Sequence, residues 1–393
     1  MRILQTGDWH IDVSPNTAPR FQDHAHLFSE LLQIIERERI DVLLQTGDIF
    51  DRVQVSSRGL LLLAKFLSQA SRIPSLKSIV LITGNHDSNR FFEALSPLLT
   101  LSQKTDFHVI SNLKSDIEEW KKRCIIPLPD QKTTLVALPY LSRNRLGIQV
   151  SNQNAVEINQ QLQQSFRSRL DALATEARKR YPKTNLVAAA HLSCAENDGQ
   201  DNAPRKIYLG ETLPPSVFPK EYIYVALGHF HSCISLDQGR VWYAGTPITT
   251  CLAESTTRHA LIADIEDGIL KQVTKMPIPH FRVTYHYSGS FHGLVDALSV
   301  QPQTNTLYLY ADITDAQPSN AELSQFLKQQ ELNIRLVRLR YTEKNTPLSS
   351  SVALLENLDP MTVFRQIYID EEGDPPSEEL LRYFAMILED CAY

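Results

Sequence analysis

"YIYVALGHFH", Tyr222 to His231, runs from an apolar stretch straight into two histidines set two apart. Its Ile, Val, Ala and Leu residues follow one another without clean polar alternation, which reads as a strand buried on both faces. Gly228 then permits a sharp turn. His229 and His231 therefore stand where a buried strand stops. Alone, a pair of loop histidines is commonplace, and only the rest of the chain gives it meaning.

Working outward, the same arrangement recurs four times. "RILQT" (2–6) reads as a strand and is followed by Gly7, Asp8 and His10. "DVLLQT" (41–46) leads into Gly47, Asp48 and Asp51, and "SIVLIT" (78–83) into Gly84, Asn85, His86 and Asp87. "NLVAAA" (185–190) ends in His191, and "TLVALPYL" (134–141) reads as a further strand. Amphipathic stretches separate them. Phe21 to Arg39 is expected to be a helix with Leu27, Leu31, Ile34 and Ile35 on one face, and Ser56 to Ser71 another. A long polar-faced helix is expected from about Gln153 to Arg180. This alternation predicts a layered α/β fold. In such sheets, sites form beyond the carboxyl ends of the strands, so these separated runs are expected to converge. After Cys233 the pattern changes to hairpins around Asp237-Gln238-Gly239 and Glu266-Asp267-Gly268, where antiparallel strands are expected.

The collected residues have a common chemistry. Carboxylates, imidazoles and a carboxamide suit borderline divalent metals such as manganese, iron or zinc. No Cys-x-x-Cys pair occurs. Two cations side by side need a shared anion to offset their repulsion, and a central Asp supplies one. The single residue between His229 and His231 lets two imidazoles of one loop reach two different metals. Taken singly, each residue is an ordinary turn or helix-capping group. The ordered series is what carries the reading.

Composition sets bounds on the rest. The chain has 393 residues, 42% hydrophobic and 21% charged, an ordinary globular balance with room for two or three domains. Its formal net charge of −6 argues against a protein that coats nucleic acid by bulk electrostatics. It leaves room for an enzyme whose positive field comes from local Lys/Arg patches, bound metals or a basic partner. No apolar run reaches the length of a membrane span, and a strand begins almost at once, so neither a membrane anchor nor a secretory leader is expected. The five cysteines (Cys124, Cys194, Cys233, Cys251, Cys391) are scattered, which fits free thiols and a cytoplasmic protein.

A boundary is expected at "KMPIPHF" (275–281), closing a first domain over 1–277. A small domain over 278–345 is expected from the strands "FRVTYHYSG", "TLYLYADI" and "NIRLVRLRY" and from the helix "SNAELSQFLKQQ" (319–330) with Ser319 or Asn320 as its cap. Arg335, Arg338 and Arg340 lie on both faces of the last of these strands and read as a solvated edge. A polar linker and two amphipathic helices, around Phe364 and Ile367 and around Leu381 and Phe384, are expected over 346–393.

The series Asp-x-His, Gly-Asp-x-x-Asp, Gly-Asn-His-Asp, a lone His and Gly-His-x-His resembles the calcineurin-like metallophosphoesterase family. "MRILQTGDWH", "GDIFD", "LITGNHDS", "YIYVALGHFH" and "YAGTPI" resemble its SbcD-type nuclease branch, with a looser likeness in the second domain and the tail. The resemblance implies an α/β fold: a layered β-sandwich core flanked by helices, a small α+β capping domain that positions DNA, and C-terminal helices. It implies two divalent ions, Mn2+ first among Mg2+, Fe2+ and Zn2+. One would be held by Asp8, His10, Asp48 and His231, the other by Asp48, Asn85, His191 and His229, with Asp48 as the bridge. His86 would act on the scissile phosphate, Asp87 would orient His86, and Asp51 would hydrogen-bond a ligand from behind. Arg205, in "APRKIYLG", reads either as a phosphate contact or as a surface arginine. Gly7 departs from the serine common in the family, and Asp51 stands where related eukaryotic nucleases usually carry His. The implied activity is 3′→5′ exonuclease action on duplex ends and endonuclease action on single strands or hairpins. The implied assembly is a homodimer joined through its tail to an SbcC-type coiled-coil ATPase. A metallophosphatase or cyclic-nucleotide phosphodiesterase would use the same metals on a small substrate, and a non-catalytic DNA-end scaffold would keep them for structure.

Overall fold

In a computed structural model of the chain, the described residues are 1–13, 20–99, 104–113, 116–143, 145–148, 155–196, 212–250, 257–281, 283–299, 307–314, 334–341, 376 and 381. The chain divides into two compact units, the first of which holds Met1–His286. Four strands of that unit, β1 (Arg2–Thr6), β2 (Val42–Gln45), β3 (Ser78–Ile82) and β4 (Asp106–Ile110), run parallel in this order. A second sheet holds β5 (Ile125–Pro127), β6 (Thr133–Leu138), β7 (Asn185–His191), β8 (Tyr222–Gly228), β9 (Ile234–Leu236) and β10 (Val241–Tyr243), in the order β5-β6-β7-β8-β10-β9. The chain then returns to the first sheet. There β11 (His259–Glu266) pairs antiparallel with β1, and β12 (Ile269–Pro277) completes the edge. Both expected hairpins form. The turn at Asp237 to Gly239 has positive φ at all three residues, and Asp267 and Gly268 have positive φ in the other.

The apolar strands are buried on both sides, as their sequences predict. Ile3, Val42, Leu44, Val80 and Ile82 join Leu135, Val187 and Val225 in a core between the sheets. The alternate residues Leu4, Leu43, Ile79 and Leu81 face outward to Leu31 and Ile35 of α1 (Phe21–Arg37) and Leu63 and Phe66 of α2 (Ser57–Ala70). Ser56 caps α2 by accepting the Gly59 amide through its hydroxyl. The sequence reading passes over α3 (Asn89–Leu99), whose Pro97 breaks the usual helix signature, and over α4 (Ile117–Arg123). α5 (Ala155–Arg180) adds Phe166, Leu170, Leu173 and Ala177 to the core of the second sheet. The result is a helix–sheet–sheet–helix sandwich. One polar group crosses it. Gln5 Nε2 donates to the carbonyls of Leu227 and Trp242 at 3.1 and 2.9 Å, and the Tyr224 hydroxyl donates to Gln5 Oε1.

Register brings the strand ends together. Thr6 sits beside Gln45, Gln45 beside Leu81, and His191 beside Gly228. C-terminal to these strands in sequence, β13 (Val283–Gly289), β14 (Leu307–Ile313) and β15 (Ile334–Tyr341) form a three-stranded sheet in chain order, with an unanticipated helix, α6 (Phe291–Ser299), between the first two. The helix expected over 319–330 lies outside the described residues, as do the linker and tail helices apart from Pro376 and Leu381. No helix among the described residues is long and apolar enough to cross a membrane.

Candidate metal centre

The loops leaving β1, β2 and β8 hold unusual backbone. Asp8, His10, Asp48 and His229 have φ of 49°, 44°, 51° and 110°. Non-glycine residues reach this left-handed region at a cost that surrounding structure must offset, and such residues cluster at functional sites. The offset here is a main-chain ladder between two loops. Asp8 N donates to Gly47 O at 2.8 Å, His10 N to Asp48 O at 3.0 Å, and Ile11 N to Ile49 O at 2.9 Å. Gly84 is glycine for a steric reason: a Cβ there would overlap the Asp48 carboxylate and amide.

Asp48 stands at the centre, buried. Its Oδ1 accepts the His86 amide at 2.9 Å. Its Oδ2 lies 3.3 Å from His191 Nε2 and 3.8 Å from His10 Nε2. On one side His10 Nε2 faces His231 Nε2 at 3.1 Å, with Asp8 close enough to complete a ligand group. On the other, Asn85 Oδ1 lies 3.0 Å from His191 Nε2 and 3.1 Å from His229 Nδ1. Asp8 Oδ1 accepts the His229 amide at 2.9 Å, which links the loop of the first sheet to that of the second. All seven side chains expected as ligands thus gather at one place. Three overlapping groups have ligand atoms within 4.8 Å of one another: Asp8, His10 and His231; Asp48, His191 and His229; and His10, Asp48 and His86.

These residues fit divalent cations. Asp8 Oδ2 is buried without a hydrogen-bond partner, a costly condition for a carboxylate oxygen. Imidazole Nε2 atoms converge on each other and on carboxylate oxygens, and the outer ring nitrogens of His191 and His231 are engaged behind them. His191 Nδ1 donates to Thr46 O at 2.9 Å, which leaves Nε2 as the nitrogen that faces the cage. His231 Nδ1 meets the Thr250 hydroxyl at 3.1 Å. Such outer partners orient metal-binding histidines and raise their basicity.

Charge in the metal-free cage is balanced by protons. Burial opposes the charged form of His191, but Asp48 and Asp8 overcome it and push its pKa up to about 9. Burial likewise opposes ionisation of Asp48, yet the imidazoles of His191, His10 and His86 hold its carboxyl well below the usual range. Burial, reinforced by the neighbouring Asp48, raises Asp8. Burial and the nearby His191 push His229 down to about 3. The cage thus keeps a proton where a cation would sit, and cation binding must release it.

The remaining expected residues are placed differently. His86 is exposed at the rim, its Nδ1 donating to Asp51 O at 2.9 Å and its ring 5.0 Å from that of His10. Asp87, expected to orient His86, instead accepts the amides of Ile49, Phe50 and Gly84 at 3.0, 2.9 and 2.9 Å, pinning the β2 loop to the β3 loop. Burial and the neighbouring Asp48 push its pKa up to about 6 against those amides. Asp51 Oδ1 stands 3.5 Å behind His10 Nδ1, longer than a tight hydrogen bond, and its backbone carbonyl is what fixes His86. Arg205 lies outside the described residues. Of the thiols near the site, Cys194 is buried and Cys233 half-buried, and neither belongs to a ligand group among the described residues. His24 is buried between the carbonyls of Arg20 and Trp9, a structural role. Sequence reasoning missed Thr46, Thr250, Arg258 and Tyr140, whose ring lies 6.3 Å from His191. Only "YAGTPI", just before Thr250, hinted that this segment mattered.

Comparison with known proteins agrees with this geometry. The calcineurin-like phosphoesterase family matches residues 1–233. The SbcD component of the SbcCD nuclease of Rhodobacter capsulatus is 32% identical over 296 residues, covering 71% of this chain and 70% of its own length. That of Bacillus subtilis is 27% identical and covers 68% and 67%. That of Escherichia coli K12 is 24% identical and covers 98% and 96%. A family match over more than half the chain, with an SbcD relative of this similarity, establishes that the chain belongs to the calcineurin-like phosphoesterase family, in its SbcD branch.

Proposed function

We propose that the chain is a metal-dependent DNA nuclease, the nuclease subunit of an SbcCD-type complex, which hydrolyses phosphodiesters with two divalent cations. The observation that carries this reading is the position of Asp48 Oδ2 between His191 Nε2 and His10 Nε2, at 3.3 and 3.8 Å. One carboxylate oxygen there is shared by two half-cages. Asp8, His10, Asp48 and His231 would hold one ion; Asp48, Asn85, His191 and His229 would hold the other. Mn2+ is the proposed ion, with Mg2+, Fe2+ or Zn2+ as substitutes. When bound, such a pair draws charge from phosphoryl oxygens and makes a water acidic enough to attack phosphorus in line.

The protein's own groups do the rest. Thr46 O, Asp51 and Thr250 aim the imidazoles from behind. The Asp87 carboxylate locks the β2 and β3 loops, so that Asp48 and Asn85 keep their separation. His86, anchored through Nδ1 to the Asp51 carbonyl, presents its other nitrogen at the rim, where it steadies charge on the phosphate or passes a proton to the leaving oxygen. No side chain needs to form a covalent intermediate.

In this reading the substrate actions are 3′→5′ exonuclease cutting of duplex ends and endonuclease cutting of single strands and hairpins. The domain over 278–345 positions DNA, Arg205 touches phosphate, and the tail over 346–393 binds an SbcC-type ATPase in a cytoplasmic complex built on a homodimer. The test is cleavage of hairpin and blunt duplex oligonucleotides with Mn2+, run beside bis(p-nitrophenyl) phosphate. Metal-dependent DNA cleavage supports the reading. Turnover of the chromogenic ester alone points to a small-molecule phosphodiesterase, and DNA-end binding without cleavage to a scaffold.

A further inference from the structure

We propose that Arg258 and Thr250 are positioning residues that set the place and the tautomer of His231, and through it the occupancy of one of the two cation sites. This inference rests on the two-cation reading above. It starts from a difference among three of the imidazoles in the cage. His191 is backed by the Thr46 carbonyl at the end of β2, a rigid acceptor that leaves Nδ1 no choice but to donate. His10 is backed by the Asp51 carboxylate at 3.5 Å. His231 is backed by the hydroxyl of Thr250 at 3.1 Å, a group able to give or to accept. Its tautomer therefore depends on where Thr250 is held.

The holding group is Arg258, nearly inaccessible at 3% exposure although it is a cation. Its Nη1 donates to the carbonyls of His231 at 3.3 Å and Thr246 at 3.5 Å, and its Nη2 donates to the Thr249 hydroxyl at 3.3 Å. One guanidinium thus joins the backbone of His231 to both ends of the short segment that leads into Thr250. A fork of fixed geometry does this where a lysine ammonium, a single point of charge, does not. The same carbonyl of His231 also accepts the Thr246 amide at 3.1 Å. That approach requires Gly245, with φ of 78°, because a Cβ there would lie 2.7 Å from the His231 oxygen. The Thr246 hydroxyl closes the turn onto Ile248 O at 2.8 Å. The whole device serves one ring, which faces His10 Nε2 at 3.1 Å.

The experiment titrates Mn2+ into metal-free protein and follows free Mn2+ by electron paramagnetic resonance, for wild type, Thr250→Val, Thr250→Ser, Arg258→Met and Arg258→Lys. Wild type takes up two ions. Thr250→Val, Arg258→Met and Arg258→Lys keep one ion at wild-type affinity and bind the other about 10–100-fold more weakly, the usual cost of losing an outer partner. Thr250→Ser restores both. Nitrogen-15 spectra of the metal-free protein show His231 as a single tautomer in wild type and Thr250→Ser, and as a mixture in Thr250→Val. If Arg258→Met does not fold, Thr250→Val carries the test alone. Two ions at unchanged affinity in Thr250→Val, or equal weakening of both ions, overturns the inference. Failure of wild type itself to bind a pair instead overturns the two-cation reading.

Discussion

The two sheets contribute to the candidate centre in different ways. The first sheet delivers Asp8, His10, Asp48 and Asn85 on loops that are laced to one another. Main-chain bonds join the β1 and β2 loops, and the Asp87 carboxylate caps three amides of the β2 and β3 loops. The second sheet delivers His191 from within a strand, but His229 and His231 from a loop held largely by side chains: Asp8 on the His229 amide, Thr250 and Arg258 around His231. One half is built into the backbone. The other is assembled from groups that a single substitution removes, so the histidines it delivers are expected to be the more easily displaced ligands.

The largest expected effect comes from the residue shared by the two half-cages. Asp48→Asn removes the charge shared by the two half-cages and should abolish both bound ions and DNA cleavage, read by metal analysis of purified protein and by a gel assay. Retention of two ions would break the idea of a shared bridge. His86→Ala or His86→Gln should come next. Each keeps two ions and DNA binding but loses about 10²–10⁴-fold in turnover, and cleavage at the wild-type rate would remove His86 from the chemistry.

The pH dependence sharpens the comparison. His191 has its pKa raised from 6.5 to about 9 in the metal-free fold. A raised pKa gives a stabilisation that is fully present below pH 6.5 and fades as pH rises through 9. A bound cation replaces that proton. The rise in Tm caused by Mn2+ should therefore be smallest near pH 6.5 and grow toward pH 9; a rise independent of pH would contradict the proton-for-cation exchange. The smallest effect concerns the tie between the sheets. Gln5→Leu strips the donor from the carbonyls of Leu227 and Trp242 and the acceptor from Tyr224, and should cost about 1–3 kcal/mol in urea unfolding with both ion sites retained.

The clustered side chains were legible because the chemistry they suit demands particular groups at a particular place. Apolar runs end, a glycine usually follows, and carboxylates, imidazoles and a carboxamide come next. The groups behind the ligands were harder to read. Asp87 sits next to His86 in sequence, but strand-end geometry turns its carboxylate toward the amides of Ile49, Phe50 and Gly84. Thr250 and Arg258 lie 19 and 27 positions from His231, and nothing in a threonine or an arginine of a loop announces which carbonyl it will meet. Among the helices, α3 was masked by Pro97 and by the absence of a clear break from the loop before it. Gln5, a polar residue in an otherwise apolar strand, was a visible anomaly whose partners come from strands more than 200 residues away.

Anomalous diffraction at the manganese edge, from crystals grown with Mn2+, tests the central claim most directly. Two peaks about 3.5–4 Å apart are expected, with Asp48 Oδ2 ligating both. A single peak, or a pair lying away from Asp8, His10, Asn85, His191, His229 and His231, would contradict the shared two-cation cage.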